Sequence, residues 1–171
     1  MIAKDELVLR RYRQTDRANL VQLADNPNVS RYLDLRFPCP YSLADADNWL
    51  AFTASQAQPL NLAVQWQGKL VGGIGIEPHS GIHARTAELG YWLGEPYWGK
   101  GLAANAVELF TPYVFNELGF IRLQAMVFAE NPNSRRVLEK CGFTREGVLR
   151  RHICKHGKVT DAFLYAKLAG E

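Results

Sequence analysis

The sequence predicts an α+β fold, a mixed and mostly antiparallel central sheet flanked by helices. Strand-like runs come as hairpin-spaced pairs ahead of the longest helix-like stretch, which argues against a doubly wound parallel sheet. A Gly-x-Gly step, Gly99-Lys100-Gly101, falls where an apolar strand-like run gives way to that helix. With 171 residues and 47% hydrophobic content, the chain can build the core of a single domain, expected over residues 7–169.

Residues 7–12 read as an opening strand. Thr15 is expected to cap a helix through Leu20, Val21 and Leu23 to Asp25, and Asn26-Pro27-Asn28 breaks it. The proline-bearing stretch to Tyr41 reads as loop with a short helical piece over 29–33. Ser42, with Asp45 three residues on, opens a second helix through Trp49 and Phe52 toward Gln58. Residues 60–66 and 70–77 form a strand pair around Gln67-Gly68-Lys69, and Gly72, Gly73 and Gly75 mark a bulge or a closely approached strand.

After a loop over 78–85, residues 86–93 form another strand. The helix opened at Leu102 is predicted to run to Leu118, with a kink near Pro112 and a glycine stop at Gly119. Residues 121–128 are a strand. Asn131 caps a short helix over 132–141, with Pro132 in its first position and Gly142 past its end. Residues 143–154 and 159–168 close the chain as a hairpin around Lys155-His156-Gly157-Lys158.

No apolar run approaches the roughly 20 residues of a membrane span, and the N-terminus lacks an apolar signal core, so a cytoplasmic protein with no membrane partner is expected. Three cysteines, Cys39, Cys141 and Cys154, show no metal spacing and fit reduced thiols. His79 and His83 are interrupted by Gly81; His152 and His156 lie in a strand-like run, about 13 Å apart at strand rise, so no metal site is expected. Charge is uneven. Residues 1–119 carry 10 Lys+Arg and 12 Asp+Glu, net −2, whereas residues 120–171 carry 10 and 5, net +5. Such a basic half suits nucleic acid, an acidic partner, a polyphosphate ligand or simply a solvated face.

At the Gly-x-Gly step the first-turn amides of a helix have no intrahelical acceptor and sit at the positive end of the dipole, which attracts phosphate oxygens. Gly99 and Gly101 let a pyrophosphate approach bare backbone, and Lys100 adds charge. A plain tight turn before a helix reads equally well from these residues alone. Leu102 follows Gly101, so the Lys-Ser/Thr pair of a P-loop is absent, and the dinucleotide fingerprint with its later acidic partner is not met.

Tyr97 through Asn105 resembles the acetyl-coenzyme A loop of the GNAT acetyltransferase superfamily, Gln/Arg-x-x-Gly-x-Gly/Ala, with Gly101 and Ala103 at the small positions and Trp98 standing where Gln or Arg is usual. Tyr-Trp-Gly-Lys-Gly is similar to the form found in the ribosomal-protein N-terminal alanine acetyltransferase (RimJ/RimL-like) branch. The resemblance extends over Glu88-Leu89-Gly90-Tyr91-Trp92-Leu93, over residues 131–143 and over residues 161–165, in the family's order and across nearly the whole chain.

The resemblance implies transfer of acetyl from acetyl-coenzyme A to a primary amine by direct attack in a ternary complex, without a metal. The enzyme must then take a proton from the amine, steady the oxyanion and protonate the thiolate. Glu88 is the candidate base, acting through a water, beside the plainer reading of an exposed strand carboxylate. Some members of the ribosomal-protein branch use a carboxylate near the last hairpin instead, where this chain has Ile153. Ser134 matches the family's Asn-x-x-Ser position and is a candidate for the thiolate or the pantetheine arm. Asn131 is a candidate for the arm; a helix cap and a first-turn serine explain both equally. Tyr165 is the alternative acid, or a core aromatic.

Cosubstrate contacts are expected from Trp92, Leu93, Trp98, Gly99, Lys100, Gly101, Leu102, Ala103, Ala104, Asn131, Ser134, Arg135 and Arg136, with Lys140 as a further phosphate candidate. The acceptor is expected to be a protein or peptide N-terminus, with a small-molecule amine as the alternative; nucleic acid is not expected, and a dimer is left open. A non-catalytic module, either a coenzyme A sensor or a basic protein binding RNA or an acidic partner, is the rival reading.

Overall fold

The computed structural model describes residues 1–171. The strands are β1 (Ile2–Lys4), β2 (Leu7–Arg10), β3 (Asn61–Trp66), β4 (Lys69–Pro78), β5 (Thr86–Leu93), β6 (Arg122–Phe128), β7 (Thr144–Lys155) and β8 (Lys158–Leu168). The helices are α1 (Arg17–Ala24), α2 (Pro27–Ser30), α3 (Leu43–Ser55), α4 (Leu102–Asn116) and α5 (Pro132–Lys140). The strands make one eight-stranded sheet in the order β1-β2-β3-β4-β5-β6-β8-β7. Pairing is antiparallel for β1-β2, β2-β3, β3-β4, β6-β8 and β7-β8, and parallel for β5-β6. The predicted α+β class is therefore observed.

Two compact units share the chain: Met1–Gly75 with Tyr91–Phe110, and Ile76–Gly90 with Thr111–Glu171. In the first, Leu20, Ala24, Ala46, Leu50, Ala63 and Leu70 form a buried cluster against which Tyr12, Phe37, Trp49 and Trp92 pack. Asp16 rather than Thr15 organises the start of α1. Its carboxylate accepts the Arg13 N–H at 2.8 Å and pairs with the Arg10 guanidinium through two 2.8 Å bonds, both side chains being buried. Ser42 and Asp45 form the expected capping box of α3. The close strand approach read from the β4 glycines is found: a Cβ on Gly72 would meet the Trp92 carbonyl, and one on Gly73 the Tyr12 hydroxyl. Left-handed Gln67 and Gly68 make the β3-β4 turn, as His156 and Gly157 make the β7-β8 turn.

In the second unit Leu123, Ala125, Val127, Leu138, Ala162 and Tyr165 are buried. Asn131 caps α5 as expected, accepting the Ser134 N–H at 3.2 Å. Several expectations shift at their edges, the opening strand ending at Arg10 and the second helix at Ser55. A hairpin strand, β1, precedes residue 7; the helical piece after Asn26 is α2, with Asn26 as its cap; and α4 stops at Asn116 while running unbroken through Pro112. Gly119 still closes that segment in a left-handed conformation, with the Phe120 N–H reaching the Val114 carbonyl.

Candidate active site

β5 delivers the chain to the loop before α4. Its last residue, Leu93, is buried, and the Trp98 indole donates to the Leu93 carbonyl at 2.8 Å, tying the loop to the strand that leads into it. The short helical turn Glu95–Tyr97 lies between them. The Glu95 carboxylate accepts from the Asn26 and Asn28 side chains, and these bonds hold it below the usual carboxylate range. Gly99 and Gly101 adopt φ 73° and 75°, angles that favour glycine, and a Cβ at either would meet nothing within 4 Å. The side of the loop that a Cβ would occupy is thus open. The first helical bond runs from the Asn105 N–H to the Gly101 carbonyl at 3.1 Å, so the Leu102 and Ala103 amides precede the helical ladder. Lys100 lies over the Trp66 and Tyr97 rings, 5.3 and 5.5 Å from their centroids. Its charge is held on aromatic faces beside the glycines, a contact that nothing in the sequence spacing signals.

In the second unit Glu88 is three-quarters buried and its carboxylate is fixed at both oxygens. Oε1 accepts the Met126 N–H at 2.8 Å, and Oε2 accepts the Gln124 side-chain amide at 3.0 Å. His79 Nε2 stands 3.9 Å from Oε2. Gln124 is opposite Glu88 in the parallel β5-β6 ladder, so the two side chains share a face. Gln124, Met126 and His79 were missed by sequence reasoning; only the strand register reveals them.

Tyr165 pairs with Ala125, one step out of phase with the Glu88–Gln124 pair, so Glu88 and Tyr165 project from opposite sheet faces. Tyr165 is 1% exposed, and its hydroxyl donates to Glu139 Oε1 at 2.6 Å. Burial, then the hydrogen bond to Glu139 and the charge of that carboxylate, push the phenol above its ordinary value. On α5, Asn131 spends its side-chain oxygen on the cap, and Ser134 lies in the first turn. Arg135 stacks on Phe163 with Cζ 5.2 Å from the ring centroid, its Nε buried without a hydrogen-bond partner, whereas Arg136 and Lys140 are exposed. No group of three or more His, Cys, Asp or Glu side chains is placed to hold a metal ion. No helix is long and apolar enough to cross a membrane.

The family profile described as "Acetyltransferase (GNAT) domain" matches residues 6–144. The chain belongs to the GNAT acetyltransferase family. N-acetyltransferase YoaA of Bacillus subtilis (strain 168) is 30% identical over 172 residues, covering 97% of this chain and 95% of that protein. A GNAT-family acetyltransferase structure from Bacillus anthracis superposes with TM-score 0.86 at 27% identity, covering 99% of both chains. Two further structures differ in their acceptors. The ribosomal L7/L12 α-N-protein acetyltransferase RimL, in complex with coenzyme A, has TM-score 0.84 at 20% identity over 96% of this chain and 95% of that one, a likeness of fold. Spermidine N-acetyltransferase from Vibrio cholerae, with coenzyme A and spermine, has TM-score 0.80 at 25% identity over 96% of each. The GNAT chain is an N-acetyltransferase, and these neighbours include protein and small-molecule enzymes alike.

Proposed function

We propose that this acetyltransferase moves the acetyl group of acetyl-coenzyme A to the α-amino group of a peptide or protein, as a member of the RimJ/RimL-like branch working in the cytoplasm. The observation that carries the cosubstrate is the loop. Gly99 and Gly101 are left-handed, their Cβ positions face open space, and the first amides of α4 follow directly. Those amides, with Trp98, Lys100 and Ala103 around them, take the pyrophosphate. Arg136 and Lys140, exposed on α5, are the side chains offered to further phosphate oxygens.

The acceptor amine must lose a proton to attack the thioester carbonyl carbon. Glu88 receives it through a water; two donors hold the carboxylate in one orientation. The amine nitrogen then bonds to the acetyl carbon, the carbon–sulfur bond breaks, and the coenzyme thiolate takes a proton. Ser134 is the preferred relay, passing to sulfur the proton that the nitrogen sheds after attack and so keeping its own hydroxyl, because the Tyr165 proton is given to Glu139. An α-amino group asks least of a single carboxylate, since its ordinary pKa of about 7.7–8.0 leaves a neutral fraction at pH 7. The likeness to the spermidine enzyme supports a polyamine as the second reading; the net +5 of residues 120–171 argues against a polycation.

The deciding experiment is thiol release and product mass with an Ala- or Ser-starting peptide, the same peptide blocked at its N-terminus but bearing lysine, spermidine and an aminoglycoside. Preference for the free N-terminus is the expected result. Preference for spermidine or the aminoglycoside moves the chain to the small-molecule class, and absence of any thiol release, with acetyl-coenzyme A bound, favours a sensor.

A further inference from the structure

Three features coincide on β7. The register against β8 passes from Leu149↔Ala162 to Ile153↔Thr160, so Arg150, Arg151 and His152 stand opposite the single residue Asp161. At the centre of this bulge Arg151 adopts φ 52°, a left-handed conformation uncommon for a residue with a side chain, and its N–H donates to Asp161 Oδ1 at 2.7 Å. Val148, Leu149, Arg150, Arg151, His152 and Asp161 line a shallow, open concavity. A bulge re-aims the side chains it carries, and backbone strain of this kind persists where surrounding structure holds it in place.

The cations here differ from the ion-paired arginines of the chain. Arg10, Arg17 and Arg122 each face a carboxylate within ion-pair distance. Arg150 and Arg151 are exposed and face none; Asp161, the acid of the concavity, accepts the Arg151 backbone N–H at Oδ1. β7 is also a terminal strand of the sheet, so its outer edge is unpaired over a 12-residue strand. Val148 and Val159 are exposed aliphatic side chains on the same hairpin, 51% and 53% accessible.

We propose that the β7 bulge and its adjoining edge dock an acidic polypeptide segment. Arg150 and Arg151 take aspartate or glutamate carboxylates through their guanidinium forks, and Val148 and Val159 pack aliphatic side chains of the same segment. A single-stranded nucleic acid is the poorer fit, because such strands need aromatic faces for their bases. Of the two aromatics of this hairpin, Tyr165 is buried, and Phe163 is covered by the guanidinium groups of Arg135 and Arg145, each 5.2 Å from its centroid.

The test measures binding alone, on the full chain. The probe is a fluorescent, N-terminally acetylated peptide rich in Asp, Glu and Val, as long as β7, 12 residues, followed by anisotropy. Its comparators are the Asn/Gln version of the same peptide and a single-stranded oligonucleotide. The acidic peptide should bind, the amide version should not, and affinity should fall as salt rises. Arg150→Glu/Arg151→Glu should weaken binding about tenfold or more, while Arg13→Glu/Lys69→Glu, the same change of charge elsewhere, should leave it intact. If the reversed bulge variant fails to fold, Arg150→Gln/Arg151→Gln decides the matter in the same way. No binding of the acidic peptide, equal loss in the bulge and control variants, or tighter binding of the oligonucleotide overturns the proposal.

Discussion

Gln124 donates its side-chain amide to Glu88 at 3.0 Å, and Arg122 determines which end of that amide faces the carboxylate. Arg122 Nε donates to Gln124 Oε1 at 3.2 Å, while its terminal nitrogens grip Glu146 at 2.9 and 2.5 Å. With its oxygen taken by Arg122, the Gln124 amide can offer only N–H to Glu88. If Glu88 is the base, Glu88→Gln should lower turnover by about 10²–10⁴ near neutral pH with acetyl-coenzyme A binding retained. Gln124→Leu should lower turnover less, and adding it to Glu88→Gln should cost almost nothing more, a coupling of about 1–2 kcal/mol. Steady-state kinetics on the four proteins checks this. Full activity in Glu88→Gln removes the base assignment; additive losses remove only the positioning role of Gln124.

What the sequence made legible was local. The Ser42–Asp45 capping box, Asn131 with Pro132, and the left-handed stops at Gly119 and Gly142 depend on neighbours within a few residues, and each stands where the residue pattern put it. The Glu88–Gln124 pair depends on β5 lying parallel to β6 in one register, with the partners 36 positions apart in sequence, and no residue type announces that. The three-residue bulge on β7 was hidden for a related reason. Arg150, Arg151 and His152 fit an uninterrupted exposed strand until the partner strand shows that only Asp161 faces them. Strand β1 escaped notice because three residues with mixed polarity carry no period.

Gly101→Val tests the cosubstrate loop. A branched side chain at φ 75° is strained by about 1–2 kcal/mol, and it would project into the open side of the loop. The variant should stay folded and lose most acetyl-coenzyme A binding by calorimetry. In the unmodified chain, a hundredfold ligand excess over Kd should raise stability by about 2.7 kcal/mol in thermal melts. Unchanged affinity in a folded Gly101→Val would place the coenzyme elsewhere.

Lys100 should contribute to stability as well as to charge. Its ammonium rests over Trp66 and Tyr97, whose rings meet edge to face at 6.3 Å, so Lys100→Met should destabilise by about 0.5–1 kcal/mol in denaturant titration. Trp66→Leu should remove most of the difference between lysine and methionine. If Lys100→Met is neutral for stability in both backgrounds but weakens acetyl-coenzyme A binding, the ammonium works on phosphate rather than on the rings.

Tyr165 separates a structural from an acid role by its pH signature. Its hydroxyl donates to Glu139, and the phenol titrates above its ordinary value of 10.0 because burial and that carboxylate both oppose the phenolate. A raised folded value means that the unfolded chain gives up this proton first. The stabilisation is therefore complete below pH 10 and is lost as the pH climbs from there through the folded value. Tyr165→Phe should cost about 1.5 kcal/mol at pH 7, a hydrogen bond to a charged acceptor, and should flatten the alkaline fall of stability relative to the unmodified chain. Turnover near neutral pH should change little, because the hydroxyl faces Glu139 on the sheet face opposite Glu88. A hundredfold loss of turnover with unaltered melting, read from kinetics and calorimetry on the same preparation, would instead make Tyr165 the thiolate's acid and displace Ser134 from that step.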